Sequence, residues 1–130
     1  MIQALRAKNI AFLGGGNICK SFLELLENDI FSDLQVNILG VADVNNDAEG
    51  FVYARSQGYF VSNNYEDLLK IENLDLILEI TRDDDLPRRL QKQLPPETTL
   101  LDHFQAVALW NALQVEAPKR RLTAQLAQTC

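Results

Sequence analysis

The 130-residue chain has little of what cross-links a protein or anchors it in a membrane. Its two cysteines, Cys19 and Cys130, stand far apart and outside any CxxC or ligand cluster, which argues against a disulfide scaffold or a zinc site. No apolar run approaches the roughly 18–20 residues that span a bilayer. The opening stretch MIQALRAKNIAFLGGG lacks a signal-peptide cleavage pattern, so a cytoplasmic chain without membrane insertion is expected. Four prolines and six glycines are too few for a collagen-like or disordered chain. Basic residues are also scarce. Twelve Lys and Arg against eighteen Asp and Glu leave a net charge of −6, which argues against binding the phosphate backbone of a nucleic acid. Catalytic vocabulary is thin as well: there is one histidine, His103, and no Ser-His-Asp order, nucleophile elbow or Walker lysine motif. At this length there is no room for a cofactor domain together with a full catalytic domain.

What remains is an apolar fraction of 47%, enough for one real core. Asn9 to Gly14 (NIAFLG) is a short apolar run ending in glycines and suits a strand buried on both faces. Ile18, Phe22, Leu25 and Leu26 then recur at helical spacing. Val36 to Ala42 reads as a second strand, followed by a polar turn and a short helix with Gly58 as its C-terminal cap. Tyr59 to Val61 is a brief third strand, after which Asn63 and Asn64 can cap a short helix carrying Tyr65, Leu68 and Leu69. Leu74 to Ile80 is the strongest strand, and Asp83 to Asp85 with Pro87 marks a helix start. Thr98 to Asp102 gives a fifth strand; a helix from Phe104 to Ala117 follows, and Pro118 is expected to break or kink it. Five alternations of strand and helix predict a parallel, doubly wound α/β sheet in order 3-2-1-4-5, a Rossmann-like α/β/α sandwich of three layers.

The turn Gly14-Gly15-Gly16-Asn17-Ile18-Cys19 lies between the first strand and the first helix, where a dinucleotide fingerprint belongs. Gly14 permits the tight turn, Gly16 lets a pyrophosphate approach the backbone, and the N–H groups of residues 16 to 19 point at it. Cys19 stands where the fingerprint has its third glycine and reads either as a small packing residue or as a thiol activated by the helix terminus. Lys20 either reaches a phosphate or is solvated, and the whole turn serves either a phosphate-bearing ligand or packing alone. Asp43, 27 residues after Gly16, either accepts the ribose hydroxyls, favouring NAD over NADP, or starts an Asx turn. Glu79 and Thr81 end the fourth strand; a buried Glu there binds a ligand or caps a neighbouring helix. Asp102 and His103 end the fifth, where His103 near Glu79 acts as a base or pH-sensitive contact, caps the last helix, or packs at a subunit contact.

Residues 9 to 113 resemble the NAD-binding half of the glucose–fructose oxidoreductase and inositol dehydrogenase family. That family ends its fifth strand in a Glu-Lys-Pro motif with a catalytic lysine, whereas this chain has Leu101-Asp102-His103-Phe104 and is expected to lack the substrate domain. Gly14-Gly15-Gly16 with Cys19-Lys20, Gly40-Val41-Ala42-Asp43, Leu78-Glu79-Ile80-Thr81, and Asp102-His103 with Ala106, Leu109 and Trp110 resemble more closely the Rossmann-like input domain of bacterial PAS and sensor histidine kinases. The resemblance implies a non-catalytic sensory module that binds NAD or another adenine nucleotide and signals through its last helix to a downstream module, as a homodimer. Its alternatives are an NAD-dependent oxidoreductase cofactor domain without its substrate domain, and an interaction module that has lost its ligand. Phe104, Trp110 and Leu113 serve either a dimer or inter-module face or the core. Residues 1–117 are expected to form the nucleotide-binding domain and residues 118–130 a helical tail or linker, in an excised domain or a stand-alone relative. Charge divides near the same place: residues 1–102 hold nine basic and seventeen acidic side chains (−8), and residues 103–130 three and one (+2).

Overall fold

The computed structural model describes residues 1–129, so Cys130 and any pairing it makes lie outside the described residues. Among these residues the apolar runs become five strands: β1 (Asn9–Leu13), β2 (Asn37–Ala42), β3 (Val61–Ser62), β4 (Leu76–Glu79) and β5 (Thr99–Leu101). All neighbouring strands pair in parallel, in the order β3-β2-β1-β4-β5. The helices between them are α1 (Asn17–Glu27), α2 (Glu49–Ser56), α3 (Glu66–Leu69), α4 (Leu86–Gln91) and α5 (His103–Thr129), with short 3-10 turns at Ile2–Leu5 and Asp29–Leu34.

Strand β1 shows why the sheet has helices on both faces. Its side chains alternate, with Ile10 and Phe12 in one core and Ala11 and Leu13 in the other. The first core holds Phe22 of α1, Ala54 of α2 and Leu109 and Leu113 of α5, and the Phe12 and Phe22 rings meet edge-on at 5.1 Å. The second holds Leu68 of α3 and Leu86 and Leu90 of α4. The result is a three-layer α/β/α Rossmann-like sandwich, as the alternation predicts. Strand ends shift by a residue or two from the sequence reading, and the third strand starts at Val61 instead of Tyr59.

The caps follow local chemistry. Gly58 ends α2 at φ +85°, donating to the Arg55 carbonyl. Asn64 Oδ1 accepts from the N–H of Glu66 at the start of α3. At α5 the Gln105 N–H donates to Asp102 Oδ1 (2.9 Å) while the Asp102 N–H donates to Gln105 Oε1 (3.0 Å), a reciprocal capping box. Asp102, and not His103, therefore caps the last helix.

The expected break does not occur: α5 continues through Pro118 to Thr129. Proline removes its own N–H donor, but the helix is held on both sides of it. Leu113 and Ala117 are buried before it. Beyond it, Arg120 donates to the Ile30 carbonyl, pairs with Asp33 and Glu116, and stacks over the Phe31 ring at 4.9 Å. That guanidinium holds the Asp33 carboxyl below its ordinary range. Upstream, Leu113 is fully buried and half-buried Trp110 donates its indole N–H to Ser21 Oγ of α1 (2.9 Å), which commits both to the body and leaves Phe104 exposed.

Candidate functional site

A cavity of about 620 Å³ opens beyond the carboxyl ends of β1, β2 and β4, where the strand order reverses direction around β1. Its size and place match the ligand crevice of an open α/β sheet. Gly14, Gly16, Asn17, Ile18 and Cys19 form one wall, Asp43 and Val44 a second, and Thr81, Arg82, Asp83 and Arg89 a third.

The three glycines of the turn differ sharply in surroundings. Gly14 sits at φ +103°, donates to the Ala42 carbonyl, and passes so close to β4 that a Cβ would stand 2.9 Å from the Ile80 carbonyl carbon. Gly15 donates its N–H to Asp43 Oδ2 (2.7 Å), and a Cβ on it would press against Phe51 at 3.0 Å. Gly16 begins α1 at an ordinary φ of −81°, and a Cβ there would meet nothing within 4 Å. The backbone at Gly16 is thus the open point of the turn.

Cys19 is fully buried. Burial first, and the negative charge of Asp43 second, push its thiol well above the ordinary range, so it is a neutral packing group and not a nucleophile. Its packing partner is one the sequence reading missed. A Cβ on Gly50 would lie 2.6 Å from the Gly16 carbonyl oxygen and 2.8 Å from Cys19 Cβ, so α2 begins pressed against the glycine turn. The Phe51 N–H donates to the Gly15 carbonyl and fixes that contact.

Asp43 makes the Asx turn, accepting the Asn45 N–H on Oδ1 while Oδ2 takes the Gly15 N–H. It also lines the cavity, and a carboxylate keeps further lone pairs after two such bonds. Glu79 is buried at 1% exposure, and its Oε1 accepts both the backbone N–H (2.8 Å) and the hydroxyl of Thr81. Oε1 of Glu79 therefore serves the strand's own exit turn, and Thr81 lines the cavity while Glu79 does not. His103 lies off the cavity wall, its ring against Phe104 at 5.6 Å and its Nδ1 buried without a hydrogen-bond partner. Among the described residues no hydrogen bond joins it to Glu79. Lys20 also turns away, its Nζ 5.9 Å from the Tyr53 ring centroid.

Several wall residues carried no signal in the sequence as ligand contacts. Val44 is 84% exposed at the rim, and Asn63 bridges the loops after β2 and β3 by donating to the Asp43 carbonyl. Arg82 holds a left-handed φ of +68°, and Arg89 forms a solvent-exposed pair with Asp83 at 3.3 Å. Their acidic neighbours read as a helix start, which they also are: the Asp85 N–H donates to Asp83 Oδ1. Among the described residues no group of three His, Cys, Asp or Glu side chains is placed to hold a metal ion. No helix among them is long and apolar enough to cross a membrane. Compared with known protein families and with curated proteins, the chain matches none.

Proposed function

We propose that this cavity binds an adenine dinucleotide of the NAD type, or a related adenine nucleotide, without turning it over. The observation that carries the reading is Gly16: it lines the cavity at the start of α1 and has open space where a side chain would be. A phosphate group can approach the backbone there and meet helix N-terminal N–H groups. Asp43, on the neighbouring wall, supplies acceptors for ribose hydroxyls, and exposed Val44 beside it supplies an apolar surface for a base. Binding without turnover suits the chemistry of the wall. Cys19 is neutral and buried, and His103 and Glu79 are directed elsewhere. In this reading the chain is a sensory module, of the kind found in bacterial signal transduction, that passes occupancy to a partner through α5. Such transmission requires the ligand to have different affinities for two arrangements of that helix.

A second reading, a Rossmann-like interaction module without a ligand, draws on the two backbone N–H groups already bound to Asp43. One measurement separates the two. In calorimetry and thermal-shift titrations with NAD, NADH, NADP, ADP, coenzyme A and S-adenosylmethionine, a nucleotide at about 100 times its dissociation constant stabilises the fold by roughly 2.7 kcal/mol. No shift with any of them at millimolar concentration supports the second reading and ends the first. Oxidation of NADH by the isolated chain with a small carbonyl compound would overturn the claim of binding without turnover.

A further inference from the structure

The cavity has two sides, and they differ in chemistry. In the strand order β2 and β4 flank β1, so the glycine turn after β1 stands between the loop after β2 and the loop after β4. A nucleotide with its phosphates at Gly16 and its ribose at Asp43 therefore extends its second half over the β4 loop, against Thr81, Arg82, Asp83, Leu86 and Arg89. Most polar side-chain groups of that wall are already engaged. The Thr81 hydroxyl donates to Glu79 and accepts the Asp83 N–H (3.1 Å). Asp83 accepts the Asp85 N–H on Oδ1 and Arg89 on Oδ2. Arg82 is different: it lines the cavity, and its side chain makes no hydrogen bond, ion pair or ring contact among the described residues. Its backbone holds a left-handed φ of +68°, a conformation that glycine or asparagine adopts at less cost.

We infer that Arg82, supported by Arg89, reads a negative charge at the far end of the ligand, so that the cavity selects adenine nucleotides whose second half ends in a carboxylate or a phosphate. This selection rests on the nucleotide reading of the same cavity and narrows it. A guanidinium offers only donors, in a planar fork that two oxygens of one anion accept together. The carboxamide of NAD matches that fork poorly, because one of its two terminal atoms is itself a donor. Its oxidised pyridinium ring also brings a positive charge towards an unpaired one. The acidic neighbours do not cancel the effect. Asp83 already shares its charge with Arg89, and Asp84 and Asp85 are exposed and off the cavity wall. Arg89 keeps N–H groups beyond the one given to Asp83 and can add them to the same anion. The left-handed backbone at Arg82 points the same way, since strain of this kind clusters at ligand-binding sites.

The test is calorimetric titration of the full chain with two matched pairs: nicotinic acid adenine dinucleotide against NAD, and ATP against ADP in magnesium-free buffer. In at least one pair the ligand with the extra anion binds about tenfold tighter, the first pair reporting a carboxylate and the second a phosphate. Arg82→Gln and Arg82→Gly bring that ratio to within about twofold. Arg89→Gln lowers it by less, because Asp83 already draws on its charge. Thermal midpoints stay close to the parent's in both Arg82 variants, since the side chain is exposed and glycine suits a φ of +68°, so a lost ratio is not a lost fold. Equal affinities within both pairs, or a preference that survives loss of the Arg82 side chain, overturn the inference and leave the nucleotide reading standing. No binding by any of the four compounds removes both.

Discussion

The glycines of the β1–α1 turn and the one on α2 do separate jobs, and substitution separates them. Gly14→Ala must hold a side chain at φ +103° and 2.9 Å from the Ile80 backbone, so a loss of about 1–3 kcal/mol is expected from the backbone strain alone. Gly50→Ala is destabilising for a different reason, because its Cβ meets the Gly16 carbonyl, a backbone atom, and the contact is relieved only if α2 or the glycine turn shifts. Gly16→Ala has neither problem. Its melting behaviour should stay within about 0.5 kcal/mol of the parent, while nucleotide affinity drops by roughly tenfold or more, about 1.4 kcal/mol. Unfolding curves and calorimetric titration of the three variants check this; a Gly16→Ala chain that binds as well as the parent removes the main support for the nucleotide reading. Asp43→Ala is a less clean probe, since it frees two backbone N–H groups at about 1–3 kcal/mol when such groups are left unsatisfied. Its diagnostic is the ratio: NAD binding should weaken more than coenzyme A binding.

At the scale of elements, α1 and α2 are tied by one carboxylate. The hydroxyls of Tyr53 and Tyr59 both donate to Glu27 at the end of α1. The bond to Glu27, more than burial, pushes the Tyr53 phenol up to about 12, and burial with the same carboxylate raises Tyr59 as well. An unfolded tyrosine ionises near pH 10. The folded state keeps the protons longer, so the stabilisation is complete below about pH 10 and is lost as pH rises towards 12. Thermal midpoints should fall over that window, and less steeply in Glu27→Gln. Helix α5 offers a second element-scale test: Pro118→Ala restores a helix N–H and should raise helical ellipticity, with a gain of up to about 3 kcal/mol. The sequence expectation of a break at Pro118 failed for a nonlocal reason. The Asp33 carboxylate that pairs with Arg120 lies 87 residues away, and no local propensity reports it. Strand order and the glycine turn were legible because they rest on local periodicity and on glycine's conformational freedom. The His103–Glu79 pairing was not: strand ends brought the two residues near in sequence logic, but Thr81 takes the carboxylate and His103 opens α5. Arg82, Arg89 and Gly50 were illegible as site residues, since their roles come from which loops and helices meet in space.

At the scale of the whole molecule, the proposed binding site and α5 are joined by a short physical route. Helix α1 begins at the cavity with Asn17 and Ile18, and one turn later Ser21 accepts the indole N–H of Trp110 at 2.9 Å. A ligand that orders the start of α1 therefore acts on an element hydrogen-bonded directly to the middle of α5. Trp110 is the single tryptophan of the chain, so its emission reports that contact without labelling. If nucleotide occupancy biases α5, titration should shift Trp110 emission with the same midpoint that calorimetry gives. Ser21→Ala should keep the affinity within about twofold, roughly 0.4 kcal/mol, and abolish or greatly reduce the shift. Unchanged emission at saturating ligand would leave the cavity as a binding site and remove α5 as its output. An emission change that survives Ser21→Ala intact would place the coupling in the packing between the two helices, because α1 and α5 also share the buried cluster of Phe22, Leu109 and Leu113.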